Sequence, residues 1–276
     1  MNIQRFEQRD QARLKFHYDI ECELADRLRH SSRAERIGGL YGHVYNELFR
    51  RVSDHPQHIK RHHDERTMQV GMSIRALRPW LNPDVTFLEI GAGDADLSLT
   101  LASQVHKAIA LDVAELDDDD HAGTPGFEFV LSNGIDLPLG DGTVDVAYSN
   151  QLIEHLHPDD ALEQMQEVRR VLRPGGVYLC STPNRLNGPH DISQRYADTA
   201  RGFHLKEYTY GDLARLMRSA GFDRLETVMI INGWRMSPPL ALVAVLEAVA
   251  RIGGRGFAGS RLVEPFLRIQ IAATRS

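Results

Sequence analysis

A glycine turn between an apolar run and a helical pattern constrains the fold of this chain most. Residues 85–90 are apolar apart from Thr86 and Glu89, and Gly91 and Gly93 follow them directly. Apolar residues then recur at helical spacing over residues 97–102. Strand, glycine turn and helix are the layout of a nucleotide-binding βα unit. Because glycine has no Cβ, a ligand can approach the backbone N–H groups of this turn.

The spacing of the glycines indicates which ligand the turn accepts. A dinucleotide fingerprint starting at Gly91 would place Asp96 at its last glycine position, where a pyrophosphate should approach. The other register, Glu89-x-Gly91-x-Gly93-x-Ala95, resembles motif I of the class I S-adenosylmethionine-dependent methyltransferases, which usually have glycine at the Ala95 position. Adenosylmethionine carries no phosphate, so an acid-rich turn is tolerable around its sulfonium and ammonium groups.

A second motif strengthens this resemblance. Residues 172–176 read Leu-Arg-Pro-Gly-Gly and stand before a fifth apolar run, so that the matching pieces span residues 85–182. The resemblance implies an α/β fold with a Rossmann-like, seven-stranded, mostly parallel sheet whose last strand is antiparallel. It also implies S-adenosylmethionine as the cofactor.

Candidate cofactor residues follow the predicted strands. Asp112 ends the apolar run 108–112, about twenty residues past the glycines, where a carboxylate would accept both ribose hydroxyls; a turn-capping role is the alternative. Members of the family often have an acid at the Asn133 position, and the asparagine carbonyl could still accept from the adenine amino group. The full set of predicted cofactor contacts is Glu89, Gly91, Ala92, Gly93, Asp112, Val113, Asn133, Gly134 and Asn150.

Methyl transfer from a sulfonium is an in-line displacement, so a base is needed only where the acceptor must lose a proton. His155 follows the fourth predicted strand, close to the expected methyl position, and is the first candidate base. The alternative is that His155 only caps or packs the loop. His190 and His204 are rival bases, with Asp191 as a candidate orienting partner.

Two groups of metal-ligating residues are present, and we expect no metal at either. Gln151, Glu154 and His155 would share one face of a helix, as in the ubiquinone-type O-methyltransferases, which normally have an acid at the Gln151 position. Residues 55–63 contain four histidines, but Lys60 and Arg61 would repel a cation. We therefore expect this second run to be a polar linker.

The sequence also predicts the domain organisation. Residues 1–80 read as a helical cap segment, with helices near 18–28, 34–52 and 66–80, and residues 81–276 as the methyltransferase domain. This domain contains a substrate-side loop at 183–208, a strand at 225–231 and an insert at 232–265. Within the insert, residues 240–252 form an apolar helix that we expect to be buried, with contact to a second subunit or to lipid as alternatives.

Composition excludes other classes of function. The net charge is −6 and no basic tract is present, and Asn150 is followed by Gln151 and Leu152 instead of the Pro-Pro-aromatic motif of base-modifying enzymes; both disfavour a nucleic-acid substrate. The two cysteines are far apart, and Cys180 lies in an apolar run typical of a buried thiol. Charged residues throughout positions 1–20 and the lack of a long apolar run predict a soluble, cytoplasmic protein.

The sequence thus predicts an enzyme that transfers a methyl group to a small molecule, with a hydroxyl oxygen as the favoured acceptor. Methylation at nitrogen or carbon is an alternative. A methyltransferase-like protein that binds the cofactor as a scaffold, without transfer, is a third interpretation.

Overall fold

A computed structural model describes residues 9–55, 63–116, 123–231, 233–260 and 263–276. Its helices are α1 (Gln11–His30), α2 (Arg33–Glu35), α3 (Tyr41–Arg51), α4 (His63–Leu77), α5 (Asp96–Leu101), α6 (Pro158–Val171), α7 (Tyr210–Ser219), α8 (Leu240–Ala258) and α9 (Glu264–Leu267). Its strands are β1 (Thr86–Ile90), β2 (Lys107–Asp112), β3 (Phe127–Leu131), β4 (Val144–Asn150), β5 (Leu172–Thr182), β6 (Arg224–Thr227), β7 (Met229–Ile231), β8 (Trp234–Met236) and β9 (Ile269–Thr274).

The main sheet has seven strands in the order β3-β2-β1-β4-β5-β9-β6. Strands β1 to β5 are parallel, and β9 runs antiparallel to both of its neighbours. The predicted fold class, with its antiparallel last strand, is confirmed. In this order the carboxyl ends of β1, β2 and β4 lie side by side, so Asp112 and Asn150 end their strands at the same edge as the glycine turn.

Helices cover both faces of the sheet because successive strand residues point to opposite sides. On one face, Leu88 and Ile90 of β1 pack in a core that includes residues of α3, α6 and α7. On the other face, Phe87 packs with residues of α4 and α5. Buried residues of α1 and α3 belong to the first of these cores, so the apolar interior is continuous from the N-terminal helices to the sheet.

The three predicted N-terminal helices are present, but α4 packs directly on the sheet through Ala76 and Leu77. The predicted domain boundary at residue 80 therefore remains a prediction. Residues 56–62, most of the expected polar linker, lie outside the described residues. His55 does not fit that expectation, because its side chain is buried against α1.

The strand predicted over residues 225–231 is wrong as a single element. Strand β6 ends at Thr227, and Val228 donates its N–H to the Gln270 carbonyl at 2.9 Å. The chain then leaves the sheet, and β7 pairs with β8 as a separate antiparallel hairpin. Strand β7 of this hairpin occupies the residues that the sequence pattern assigned to a continuation of the edge strand, and β8 lies in the predicted insert.

The expected burial of the apolar helix is also wrong. Helix α8 is longer than predicted, and its leucines and valines at 242, 245, 246 and 249 are exposed. Its one acidic residue, Glu247, faces inward because Glu247 Oε1 accepts from Asn184 Nδ2 at 2.7 Å and from the Tyr210 N–H at 2.9 Å. Contact of residues 240–252 with a lipid surface or a second copy remains a prediction. None of the described helices has the length and apolarity needed to cross a bilayer.

A buried ion pair fastens the N-terminal helices to α6. Arg36 donates from Nε to Asp160 Oδ2 at 2.6 Å and from Nη2 to Asp160 Oδ1 at 2.8 Å, and both residues are almost fully buried. The Tyr41 hydroxyl donates to the same carboxylate at 2.7 Å and accepts the His157 N–H at 2.8 Å. Removing one partner would leave a buried charge unpaired.

We expect Asp160→Ala to lower the free energy of unfolding by about 3–5 kcal/mol, because Arg36 would lose its buried counter-ion. Urea unfolding followed by circular dichroism measures the change. Glu163→Ala on the same helix is the control, since its pair with Arg33 is exposed and should be worth at most about 1 kcal/mol. Equal losses of stability in the two variants would contradict the inference that the buried pair of Arg36 and Asp160 stabilises the fold more than the exposed pair does.

Candidate functional site

The glycine turn after β1 is held against the end of β2. Gly91 has φ +72° and Gly93 has φ +55°, a region that glycine enters without strain. The Gly91 N–H donates to the Leu111 carbonyl at 2.8 Å, and the Gly93 N–H donates to Asp112 Oδ2 at 2.8 Å. A Cβ on Gly91 would lie 3.0 Å from the Leu152 side chain, so the turn tolerates no larger residue without movement of Leu152.

The Asp112 carboxylate is fixed by three backbone donors. Besides Gly93, the N–H groups of Val113 and Ala114 donate to Oδ1 at 2.7 and 3.1 Å. An ionised carboxylate offers about four lone-pair sites. One of these sites remains free, so both hydroxyls of a ribose can bind Asp112 only if one of the three backbone bonds is exchanged.

Glu89 acts on the turn from within β1. Its Oε2 accepts from the N–H and the hydroxyl of Ser98, at 3.1 and 2.7 Å, and so anchors the first turn of α5. Desolvation raises the pKa of Glu89 to about 7, in spite of the hydrogen bonds from Ser98. Ala95, at the position that is usually glycine in the family, has φ +54°, which explains why glycine suits this position.

Asn133 lies in the loop after β3, on the cofactor side, but its side chain is already occupied. Its Oδ1 accepts from the N–H groups of Ile135 and Asp136, at 2.9 and 2.8 Å, and its Nδ2 donates to Asp136 Oδ2. Both lone pairs of the carbonyl are used, so this arrangement does not support the predicted bond from an adenine amino group.

Helix α3 packs over the same loops. The Tyr41 ring and the Val113 side chain flank Gly134, where an added Cβ would lie 3.0 Å from Val113 Cγ1 and 3.5 Å from Tyr41 Cδ2. An added Cβ on Gly42 would lie 3.1 Å from the Val113 carbonyl oxygen. The cap segment thus lies directly against the predicted adenine and ribose positions.

The chain after β4 links the glycine turn to the candidate catalytic residues. Asn150 ends β4, and Leu152, which packs on Gly91, accepts the His155 N–H through its carbonyl at 2.9 Å. Gln151 has φ +57° and the next turn, Ile153–His155, is a 3₁₀ helix. No α-helix therefore places Gln151 on one face with Glu154 and His155.

His155 is held as a neutral imidazole of one tautomer. Its Nδ1 lies 3.1 Å from the Phe203 carbonyl, which can only accept, so Nδ1 carries the proton and Nε2 keeps its lone pair. Desolvation, together with the neighbouring His204, lowers the pKa of His155 to about 3. The two rings meet edge to face, with centroids 4.9 Å apart.

His204 is oriented by a carboxylate that the sequence reasoning missed. Its Nδ1 lies 2.8 Å from Glu207 Oε1, which also accepts the His190 N–H at 2.6 Å. Asp191, the predicted orienting partner, accepts instead from the N–H groups of Ser193 and Gly202. That expectation is wrong because Asp191 caps a local turn; the spacing of His204 and Glu207, three residues apart, was the available signal.

Buried polar atoms converge beneath these histidines. Glu154 is fully buried, its Oε2 accepts from the Thr182 hydroxyl at 2.8 Å, and its Oε1 has no hydrogen-bond partner in the described chain. Burial raises the pKa of Glu154 to about 8. Glu154, His155 and His204 offer ligand atoms within 4.8 Å of one another, so the expected absence of a metal there remains a prediction.

Tyr45 of α3 contacts both the candidate base and the substrate-side loop, and the sequence pattern assigned it no role in the site. Its ring lies 6.2 Å from His155 and 4.8 Å from Phe203. Burial raises the pKa of its hydroxyl well above the ordinary value, and the carboxylates of Glu21, Glu154 and Asp112 raise it further. The Tyr45 hydroxyl therefore interacts electrostatically both with Asp112, the candidate ribose ligand, and with the group of candidate catalytic residues.

The geometry fits a cofactor that needs an accessible glycine backbone, a carboxylate for its sugar and acid groups around a cation. Comparison with known proteins agrees. Residues 88–180 match a family described as a methyltransferase domain. A probable S-adenosylmethionine-dependent methyltransferase of Mycolicibacterium smegmatis is 35% identical over 147 residues, which cover 53% of this chain and 55% of that protein.

Two further relatives extend the comparison. A malonyl-[acyl-carrier protein] O-methyltransferase of Methylococcus capsulatus is 33% identical over 121 residues, 41% of this chain and 43% of that protein. The structure of Burkholderia thailandensis 1,6-didemethyltoxoflavin-N1-methyltransferase, with S-adenosylhomocysteine bound, aligns with a TM-score of 0.51 at 17% identity, over 85% of this chain and 90% of that one. The alignments with the curated relatives cover only about half the length of those proteins.

We expect the stability of the protein to fall as the pH rises from 6.5 to 8, because Glu154 stays protonated when folded but ionises when unfolded. A carboxyl group whose pKa is raised by folding contributes stability at low pH and loses it as the pH rises toward the folded value. The loss should be about 1–2 kcal/mol over this window. Urea unfolding at each pH measures it. Glu154→Gln should flatten the slope, and an unchanged slope would contradict the raised pKa.

Proposed function

This chain carries a class I S-adenosylmethionine-dependent methyltransferase domain, and we propose that the whole protein transfers the methyl group of S-adenosylmethionine to a hydroxyl oxygen of a small molecule. One observation favours a hydroxyl oxygen as the acceptor. Two neutral histidines, each with its Nδ1 proton engaged, stand beside a buried carboxyl group just beyond β4. Such a pair can take a proton from a hydroxyl that loses it during transfer.

The chain's own groups divide into a cofactor half and an acceptor half. In the first, the open space at the Cβ position of Gly93 leaves room for the amino-acid end of the cofactor, and Asp112 receives the ribose hydroxyls. Bound S-adenosylmethionine would supply an electrophilic methyl group on a sulfonium. The carboxylate of Asp112 favours that cation, and the Leu152 side chain packs against Gly91.

In the acceptor half, His155 Nε2 is the proposed base. Burial keeps the imidazole unprotonated in the physiological range, so the lone pair of Nε2 is available to an acceptor hydroxyl. His204, oriented by Glu207, is the rival base, and His190 supports the loop through the same carboxylate. The unpartnered Oε1 of Glu154 offers a hydrogen bond to a polar acceptor. Tyr45 and Phe203 shield this space from water.

The names of the relatives include both acceptor atoms, since one is an O-methyltransferase of malonyl-[acyl-carrier protein] and another an N1-methyltransferase of 1,6-didemethyltoxoflavin. We favour oxygen because the site contains two neutral histidines that can act as bases, whereas nitrogen acceptors often carry a lone pair and need no base. Transfer of isotope-labelled methyl groups into small-molecule extracts, followed by identification of the product, tests the acceptor atom. Tight binding of S-adenosylmethionine without any transfer would favour a scaffold function instead.

We expect Asp112→Ala to weaken S-adenosylmethionine binding at least about tenfold, because each hydrogen bond to a charged group is worth about 1.5–3 kcal/mol. Isothermal titration calorimetry measures the dissociation constant. Asp84→Ala is the matched control, since Asp84 precedes β1 at the opposite edge of the sheet. Unchanged affinity of the Asp112 variant would remove the ribose assignment.

We expect His155→Ala to lower kcat about 10²–10⁴-fold with the cofactor affinity nearly unchanged, since His155 acts on the acceptor and not on the cofactor. His43→Ala, on the exposed face of α3, is the control. A full loss in His204→Ala with normal turnover in His155→Ala would transfer the role of base to His204. Normal turnover in both would exclude an acceptor that needs a histidine base.

A further inference from the structure

A second cluster of buried ligating groups lies between α1 and the end of α3. His17 and Glu21 are four residues apart on one face of α1, and His17 Nε2 lies 2.7 Å from Glu21 Oε1. His55, which follows α3, places Nε2 3.5 Å from the same oxygen. All three side chains are buried, and their ligand atoms lie within 4.8 Å of one another.

Burying these polar side chains among apolar residues costs free energy unless they bind a compensating partner. Phe49 packs on His55 with ring centroids 5.3 Å apart, and apolar residues of α1 and α3 enclose the site. Burial alone would raise the pKa of Glu21, but the contacts with His17 and His55 outweigh it and hold the pKa below its usual value. A buried carboxylate of this kind needs a strong compensating partner.

We propose that His17, Glu21 and His55 bind a divalent first-row transition-metal ion, with Zn²⁺ preferred. Two imidazole nitrogens and one carboxylate oxygen form a ligand set typical of zinc sites that keep one coordination position open. Ligand atoms about 2 Å from a tetrahedral ion are about 3.3 Å apart. The distances of 2.7 and 3.5 Å from Glu21 Oε1 bracket that value, and the ligand atoms of the two histidines lie within 4.8 Å of each other.

The protonation states suit a metal after one tautomer change. Desolvation lowers the pKa of His55, and the two histidines lower the pKa of Glu21. Arg9 Nη1 lies 3.1 Å from His17 Nδ1, so in the metal-free form Nε2 carries the proton and donates to Glu21. Metal binding at Nε2 moves that proton to Nδ1, and Arg9 turns toward Asp54 Oδ2, 3.8 Å away. No net proton is released from His17.

The site would fasten the cap to the substrate-side loop. Glu21 Oε2 accepts the Phe203 N–H at 3.4 Å, and the Phe203 carbonyl accepts from His155 Nδ1. A metal on Glu21 would thus fix the residue that orients His155. The metal proposal itself does not rest on the proposed methyl transfer, and its test reads metal content and thermal stability.

The experiment treats the full chain with EDTA, adds Zn²⁺, removes the excess and measures bound metal by mass spectrometry. We expect one tightly bound equivalent and a rise in Tm of about 5–10 °C at a free Zn²⁺ concentration a hundred times Kd. Mg²⁺ and Ca²⁺, which prefer all-oxygen sites, should give neither effect. Failure to bind Zn²⁺ would overturn the proposal.

Variants locate the bound ion. Glu21→Gln and His55→Ala should lose it, whereas His43→Ala on the exposed face of α3 should retain it. Retention in His204→Ala excludes the cluster beneath the substrate-side loop, and retention in a His58→Ala/His62→Ala double variant excludes the histidine run. Loss in either of these two would overturn the assignment. If the Glu21 variant does not fold, the visible spectrum of bound Co²⁺ in the unaltered chain tests for four-coordinate nitrogen and oxygen ligation.

Discussion

The hydrogen bond between the Gly93 N–H and the Asp112 carboxylate is the contact on which the cofactor site depends. It joins the turn after β1 to the end of β2, and it exists because those strands are parallel neighbours in register. The same sheet order brings Asn150 at the end of β4 to the other side of β1. A ligand that spans these three strand ends therefore meets a glycine backbone, a carboxylate and the entrance to the acceptor half without any large rearrangement.

Local patterns in the sequence predicted the sheet and this edge well. Apolar runs that end in Ile90, Asp112 and Asn150 specify buried parallel strands, and the glycine spacing specifies the turn between them. Thr209 and Asp212 have the three-residue spacing of a capping box, and that capping box forms at the start of α7. These features depend on neighbours in the chain, so one sequence contains the information needed.

Features that depend on distant partners were not predictable in the same way. The pairing of His204 with Glu207, and the contact of His204 with His155, arise in a long segment without periodicity. The burial of His55 depends on α1, which lies far away in sequence. An apolar pattern over 240–252 indicates a helix, but it does not show whether a neighbouring element covers it; here the single acidic side chain, Glu247, is the part that is buried.

The electrostatics of the acceptor half follow from burial and not from opposite charges. Desolvation keeps His155 and His204 neutral and keeps Glu154 protonated at neutral pH, so the three groups lie close together without mutual repulsion. A neutral lining suits a reaction in which the positive charge resides on the donor, because a protonated histidine would oppose the approach of a sulfonium. In the proposed reaction, the acceptor gives its proton to a histidine only as the sulfonium loses its methyl group and its positive charge.

Helix α3 makes the cap an integral part of this chemistry. Tyr41 contacts Gly134 at the cofactor loops and bonds to Asp160, while Tyr45, one turn later, lies against His155 and Phe203. The same helix therefore contacts both the cofactor half and the acceptor half. Because the ion pair of Arg36 and Asp160 holds the start of this helix on α6, the cap cannot swing away as a separate lid without breaking a buried salt bridge.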